Sequence, residues 1–268
     1  MRRRSRRASL STVEEETAEP GSGVPDPDRG RNRPSTTLLT TDRPPQRTRQ
    51  LTAGVASSRY GTDVGFYREH ILPRLVDRAC GIASMDGWRA GVTAGLQGRV
   101  VEIGFGSGLN VAHYPATVDV VLAVEPAAVA RRLAARRVAS SLVPVEHIGL
   151  DGQAIPLEDG SCDAALSTFT LCTVPEARLA LAELRRVVRP GGHLQFLEHG
   201  LAPDPKVVAW QRRLEPLQRR LAGGCHLTRD IPAIITDAGF VLDHVEQRYA
   251  KGPRPWSWFT TGIAVNPG

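Results

Sequence analysis

No stretch of the 268-residue sequence runs to the roughly 18 consecutive apolar residues that a membrane-spanning helix requires, so none of its helices is expected to cross a bilayer. Cysteine is sparse: Cys80, Cys162, Cys172 and Cys225 stand far apart without a CxxC pair. That spacing gives neither a zinc pattern nor a disulfide framework, so no metal site is expected and a reducing cytoplasm fits best. Lysine occurs only at Lys206 and Lys251, with arginine supplying the other 32 basic side chains, a bias that reads as GC-rich coding rather than as chemistry. The GxGxxG fingerprint of dinucleotide loops is missing too, because counting from Gly104 the sixth position is Leu109.

The net charge of +6 is not a nucleic-acid signal once divided by region. Residues 1–58 hold 11 arginines against 7 acids, which leaves the remainder at only +2. That stretch also carries six prolines and few large apolar residues, so it cannot bury enough surface to offset its ordering entropy. It reads as a disordered, basic, proline-rich tail preceding a domain over 59–268. The opening MRRRSRR offers a polybasic patch, but no apolar segment follows it and Glu14, Glu15 and Glu16 spoil a transit peptide. A dispensable tail is expected, and a start codon placed too far upstream explains it equally well.

What is present is an ordinary apolar content, 41%, in a chain long enough for one enzyme-sized core. In FYREHILPRLVDRACG, Ile71, Leu72, Leu75, Val76 and Ala79 recur at helical spacing before Gly81. Strands are expected over 100–104, 119–125, 143–148, 162–168 and 193–199, and helices over 127–140 and 175–188, the last ended by RPGG. Alternation of strand and helix means a mostly parallel, doubly wound α/β sheet with helices on both faces. Such sheets bind ligands beyond the carboxyl ends of their strands.

The segment RVVEIGFGSGLN lies at one such end, with Glu102 followed by Gly104, Gly106 and Gly108. A carboxylate at the lip of the strand suits a cationic ligand better than a pyrophosphate. Seventeen residues after Gly108, AVEP puts Glu125 where a carboxylate can accept both hydroxyls of a ribose. GLDGQAIPLEDGSCD then places Asp151 where it can accept from an adenine amino group. Their order and spacing together favour a nucleoside ligand over glycines kept for packing alone.

These stations resemble those of class I S-adenosylmethionine-dependent methyltransferases, and the likeness runs over roughly residues 60–265. GSGLN, LCTVPE, RRVVRPGGHLQFLEHG and RRLAGGCHLTRDIPAIITDAGF are similar to a bacterial subgroup related to quinone-biosynthesis methyltransferases, and to animal thiol methyltransferases of lipid surfaces. The resemblance implies a Rossmann-like, seven-stranded sheet and S-adenosyl-L-methionine as cofactor. It assigns Glu102, Gly104, Gly106, Gly108 and Asn110 to the methionine end, Glu125 to the ribose, and Asp151 with Gly152 to the adenine. Ser167 and Thr168 would border the sulfonium. Two departures stand out. Glu125, Pro126, Ala127 replaces the Asp-Pro-Ser of many relatives, and the animal proteins' apolar amino-terminal anchor is missing.

The implied reaction is direct displacement on a small, rather apolar acceptor: a lipid, a quinone-like ring, or a hydrophobic thiol or amine. A general base is optional; His199 and His226 are its candidates, each equally readable as a structural histidine. Cys225 lacks an evident partner for nucleophilic work. The rivals are an S-adenosylmethionine-binding regulator without turnover and a nicotinamide-dependent oxidoreductase. The acceptor side is marked only by VVAWQRRLEPLQRRL, where Val207, Trp210, Leu214, Leu217 and Leu221 form an apolar stripe interrupted by Pro216 and flanked by Arg212, Arg213, Arg219 and Arg220. A kinked cover over the pocket, peripheral contact with an anionic membrane and ordinary core packing all remain open. No nucleic-acid partner is expected.

Overall fold

In a computed structural model, residues 67–268 are described. The tail read over residues 1–58 lies outside them. Three apolar runs supply the centre of the sheet: β1 (Gly98–Ile103), β2 (Val118–Val124) and β4 (Cys162–Thr168). Val100, Val101, Val121, Leu122, Ala165 and Leu166 are all 0% exposed, as strands covered on both faces must be. β3 (Val145–Gly149) flanks β2, while β5 (Val188–His199), β6 (Val241–Tyr249) and β7 (Trp258–Val265) complete the other side. The order is β3-β2-β1-β4-β5-β7-β6, parallel except for β7, which runs antiparallel to both β5 and β6. The direction of winding reverses between β1 and β4, and the crevice of a doubly wound sheet opens at that point.

The expected strands and helices stand where they were read, with one extension. β5 begins at Val188, so RPGG is taken into the strand: Cys162 pairs with Val188, Ala164 pairs with His193, and the register breaks between them. Gly191 has a φ of +76° there, a conformation that side chains disfavour, which is why the glycine pair bends the strand rather than ending it.

Helices cover both faces. A π-helical turn, Tyr67–Ile71, leads into α1 (Leu72–Cys80), and α2 (Asp86–Thr93) follows. α3 (Ala128–Ala139) joins β2 to β3, and α4 (Ala177–Val187) joins β4 to β5. α4 buries Ala177, Ala180, Leu181, Leu184 and Val187, the spacing of a single helical face, against Val101, Ile103, Leu122 and Val124. The alternate strand positions Val100, Val121 and Ala123 pack on the opposite side with Val92 of α2 and Ala134 of α3. Each fully buried leucine of these layers contributes about 1.5–3 kcal/mol.

α5 (Pro205–Leu221), α6 (Ile231–Asp237) and the short α7 (Arg254–Ser257) complete the chain. α5 corrects the apolar stripe read in its sequence. Val207 is buried, but Trp210, Leu217 and Leu221 are 55%, 56% and 51% exposed. The helix docks instead through Val207 and Gln211, whose amide donates to Gly200 O at 2.9 Å and accepts from Ala202 N at 3.1 Å. Core packing of the whole stripe is thereby ruled out, and no helix among the described residues is long and apolar enough to cross a membrane.

Candidate active site

Beyond the carboxyl ends of β1, β2, β3 and β4 lies a cavity of about 620 Å³. Its floor is the glycine loop after β1. Gly104, Gly106 and Gly108 take φ values of +64°, +59° and +74°, which a side chain at these positions would disfavour. Gly104 has a second reason: a Cβ there would sit 1.9 Å from Thr170 Oγ1. The N–H groups of Gly104 and Phe105 both donate to Val124 O, which ties the loop to the end of β2.

One residue past that strand, Glu125 lines the cavity although it is only 6% exposed. Its Oε2 accepts from Gly106 N at 2.8 Å and its Oε1 from Ala127 N at 2.7 Å. Burial raises its pKa, and these two bonds oppose the rise. Each oxygen retains an acceptor site, so the carboxylate can still receive two hydroxyls.

Gly104, Gly106, Asn110, Glu125, Asp151, Gly152 and Thr168 all line the cavity. Glu102, Gly108 and Ser167 do not line it, and each has a different occupation. Glu102, one residue before the end of β1, is 1% exposed and accepts from Asn110 Nδ2 at 2.8 Å and from Tyr114 Oη at 2.5 Å. Burial pushes its pKa up to about 7, against the pull of Tyr114, Asn110 and the nearby Arg89 charge. A Cβ on Gly108 would meet Val111, Ala134 and Phe105 at 3.2–3.3 Å, so this glycine lets the loop pack on α3. Ser167 donates to Glu198 Oε1 at 2.7 Å.

His199 and His226 also stand off the cavity wall. His226 lies 3.3 Å from Glu215 Oε1, and burial followed by the charges of Arg229 and Arg219 lowers its pKa. His199 stands behind Phe169, ring centroids 5.9 Å apart, with Cys225 Sγ 3.3 Å from its Nε2.

Several residues of the site carry no sequence signature. Arg89 of α2 lines the cavity at 4% exposure and donates to Asn110 Oδ1 at 2.7 Å, while its buried Nε has no partner. Asn110 in turn donates to Thr168 Oγ1 at 2.9 Å, so one amide joins the glycine loop, α2 and the end of β4. Phe169, with φ 53°, is the sole non-glycine residue in the left-handed region among the described residues, and it lines the cavity. The following turn is held by the fully buried Glu198, which accepts from Thr170 N, Leu171 N and Cys172 N at 3.0–3.1 Å.

A cleft at the switch point, a left-handed glycine loop and a ribose-type acid at the next strand end define a nucleoside-binding α/β enzyme. Residues 101–196 match the methyltransferase domain family. The chain is 32% identical over 174 residues to thiol S-methyltransferase TMT1B of Homo sapiens, which covers 63% of this chain and 69% of that one. It is also 32% identical over 124 residues to demethylmenaquinone methyltransferase of Clavibacter sepedonicus, covering 45% of this chain and 50% of that protein. Among solved structures, an S-adenosylmethionine-dependent methyltransferase from Mesorhizobium loti shares the fold, with a TM-score of 0.51 at 17% identity over 68% of this chain and 98% of that one. The chain spans about two thirds of the length of its thiol methyltransferase relatives. It belongs to the class I S-adenosylmethionine-dependent methyltransferases, and S-adenosylmethionine is its cofactor.

The residues present fit that cofactor. The left-handed glycines Gly104 and Gly106 present bare backbone to the cavity, Glu125 has free acceptor capacity for hydroxyls, and the unpartnered Arg89 Nε offers a charge-assisted donor beside the glycine loop.

Proposed function

We propose that this methyltransferase acts on a small, rather apolar acceptor, with a hydrophobic thiol preferred over a lipid, a quinone-like ring or an amine. The observation that carries the reading is the apolar share of the cavity wall, lined by Leu72, Pro73, Val76, Phe169, Val174 and Ala222. The preference for sulfur is supported by the thiol S-methyltransferase relatives.

When bound, S-adenosylmethionine supplies a methyl group activated on a sulfonium. In this reading Glu125 accepts the ribose hydroxyls, Asp151 with Gly152 receives the adenine, and Arg89 takes the methionine carboxylate. Thr168 and Phe169 border the reacting end and shut out water. Orientation and a dry wall lower such a barrier by several kcal/mol, on the order of what effective molarity allows. An acceptor thiol as acidic as a cysteine side chain, about 8.5, can give its proton to bulk solvent and enter the closed site as the thiolate, so that methyl transfer breaks the sulfonium–methyl bond, forms the thioether and needs no dedicated base. His199 and His226, set back from the wall, are therefore not needed as bases.

We further propose that the rim of the cavity meets anionic lipid. Leu75, Val76, Leu217 and Leu221 are exposed, and Tyr67 Oη donates to Leu221 O at 2.7 Å, which joins the π-helical turn before α1 to the end of α5. Arg212, Arg213, Arg219 and Arg220 flank the patch.

Incubation with labelled S-adenosylmethionine and a panel of alkyl and aryl thiols, quinols, amines and phospholipids tests the acceptor. The expected product is a thioether identified by its mass. Methylation confined to quinols or amines would overturn the preference for sulfur, and methylation confined to strongly polar compounds would overturn the apolar reading.

A further inference from the structure

We propose that Cys172, His199 and Cys225 form a binding site for one soft divalent cation of the zinc class. Three separate elements bring them together: the turn after β4, the last residue of β5 and the loop between α5 and α6. The two sulfurs and the imidazole nitrogen all lie within 4.8 Å of one another, and Cys225 Sγ is 3.3 Å from His199 Nε2. Zinc–sulfur bonds of about 2.3 Å and zinc–nitrogen bonds of about 2.0–2.1 Å place tetrahedral ligand atoms roughly 3.5–3.8 Å apart. The cluster therefore needs to contract by no more than about 1.3 Å at its widest separation.

The donor set selects the ion. Two thiolates and one imidazole favour zinc or a similarly thiophilic metal, and disfavour magnesium or calcium, which require oxygen. Cys172 is 0% exposed and Cys225 4%, so two thiolates in this setting need a compensating charge, and a divalent cation leaves the site neutral. Binding of the cation would release the two thiol protons to solvent.

The surroundings hold the ligands independently of the ion. Cys172 N donates to Glu198 Oε2 at 3.1 Å, its Sγ lies 3.5 Å from Thr173 Oγ1, and its carbonyl accepts from His226 N at 2.8 Å. Arg229 Nη1 donates to Leu171 O and to Val174 O, gripping the same turn from the following loop. Such outer contacts orient metal ligands. The neighbours Phe169, Thr173 and Gly223 line the cofactor cavity, so a cation here would brace its wall, and three protein ligands leave a fourth position for water or a small donor. The inference does not depend on the identity of the methyl acceptor.

The test uses the full chain, stripped with a chelator under reducing conditions and titrated with zinc(II) against a chromophoric competitor. One ion per chain is expected, with a rise in melting temperature as zinc is added. Cobalt(II) should give thiolate-to-metal charge-transfer absorption. Both signals should vanish in Cys172→Ser/Cys225→Ser and persist in Cys162→Ser, and His199→Gln should keep the thiolate band while weakening the ion by at least tenfold. If the double variant fails to fold, Cys225→Ala alone carries the comparison. Failure of the wild-type chain to retain zinc against the competitor, unchanged binding in the cysteine variants, or recovery of Cys172 and Cys225 as a disulfide in the chain isolated under reducing conditions would each overturn the site.

Discussion

Each oxygen of Glu125 is already committed to one backbone N–H, so the side chain is fixed before any ligand arrives. Its removal should cost both the bonds to ligand and the order of the loop it holds. Glu125→Ala is expected to weaken S-adenosylmethionine binding by about 2–3 kcal/mol, measured by calorimetry. Unchanged affinity would remove Glu125 from the ribose. Glu102 makes a different prediction. Its pKa rises on folding from 4.5 to about 7, so the native chain takes up a proton between those values and loses stability as pH rises through that window. The cost above neutrality is on the order of 3 kcal/mol. Glu102→Gln keeps the shape and removes the titration, so relative to wild type it should gain by about that amount between roughly pH 5 and pH 8 in denaturant melts. A constant difference across the range would contradict the shift. That Glu125 and Asp151 line the cavity was legible in the sequence, because a strand end and a chain spacing mark them. Arg89 was not, since a buried arginine on a preceding helix has no periodic signature, and the sequence does not reveal that Glu102 turns to Asn110 and Tyr114 rather than lining the cavity.

The strands and helices were readable because long buried runs and helical faces repeat over many residues, and β1, β2, β4 and α4 follow them closely. α5 shows where this fails. An apolar stripe at helical spacing leaves a cover, a membrane contact and core packing equally readable, and the docking is carried instead by a polar side chain that reaches backbone groups at the end of β5 and around α7. Gln211 is 1% exposed and bonds to Gly200 O, Ala202 N and Pro255 O. Gln211→Ala should therefore destabilise the fold by about 2–4 kcal/mol, and Gln211→Leu should fare little better, because both leave those backbone groups buried and unpaired. Trp210, one residue earlier, stacks on Arg213, with 5.8 Å between the guanidinium carbon and the ring centroid. Trp210→Ala is expected to cost less than about 1 kcal/mol and to leave cofactor affinity unchanged, since this side chain neither packs in the core nor lines the cavity. Urea melts of the three variants check the order. The metal cluster escaped the sequence for a related reason: Cys172, His199 and Cys225 meet through the sheet topology, and local spacing rules detect only ligands that one loop supplies.

At the scale of the molecule, the apolar cavity and the exposed apolar rim lie at the same end, which matters for an acceptor poorly soluble in water. Leu75 on α1 is 51% exposed, and Leu217 and Leu221 on α5 are 56% and 51%. The arginines around them, Arg74, Arg78, Arg212, Arg213, Arg219 and Arg220, are exposed as well. Anionic lipid would attract this face by about 1 kcal/mol for each basic residue near the surface, and the buried leucines would add to that by their area. Vesicles rich in anionic phospholipid should therefore bind the protein in a salt-sensitive manner, while neutral vesicles should bind it at least tenfold more weakly. Leu217→Glu/Leu221→Glu should abolish vesicle binding without altering S-adenosylmethionine affinity or melting temperature, because neither side chain lines the cavity or enters the core. Activity on a water-soluble acceptor should survive that change, whereas activity on an acceptor delivered in anionic vesicles should fall with the loss of binding. Equal binding to neutral and anionic vesicles would remove the arginines from the account, and no binding at low salt would withdraw the lipid surface as a partner of this face.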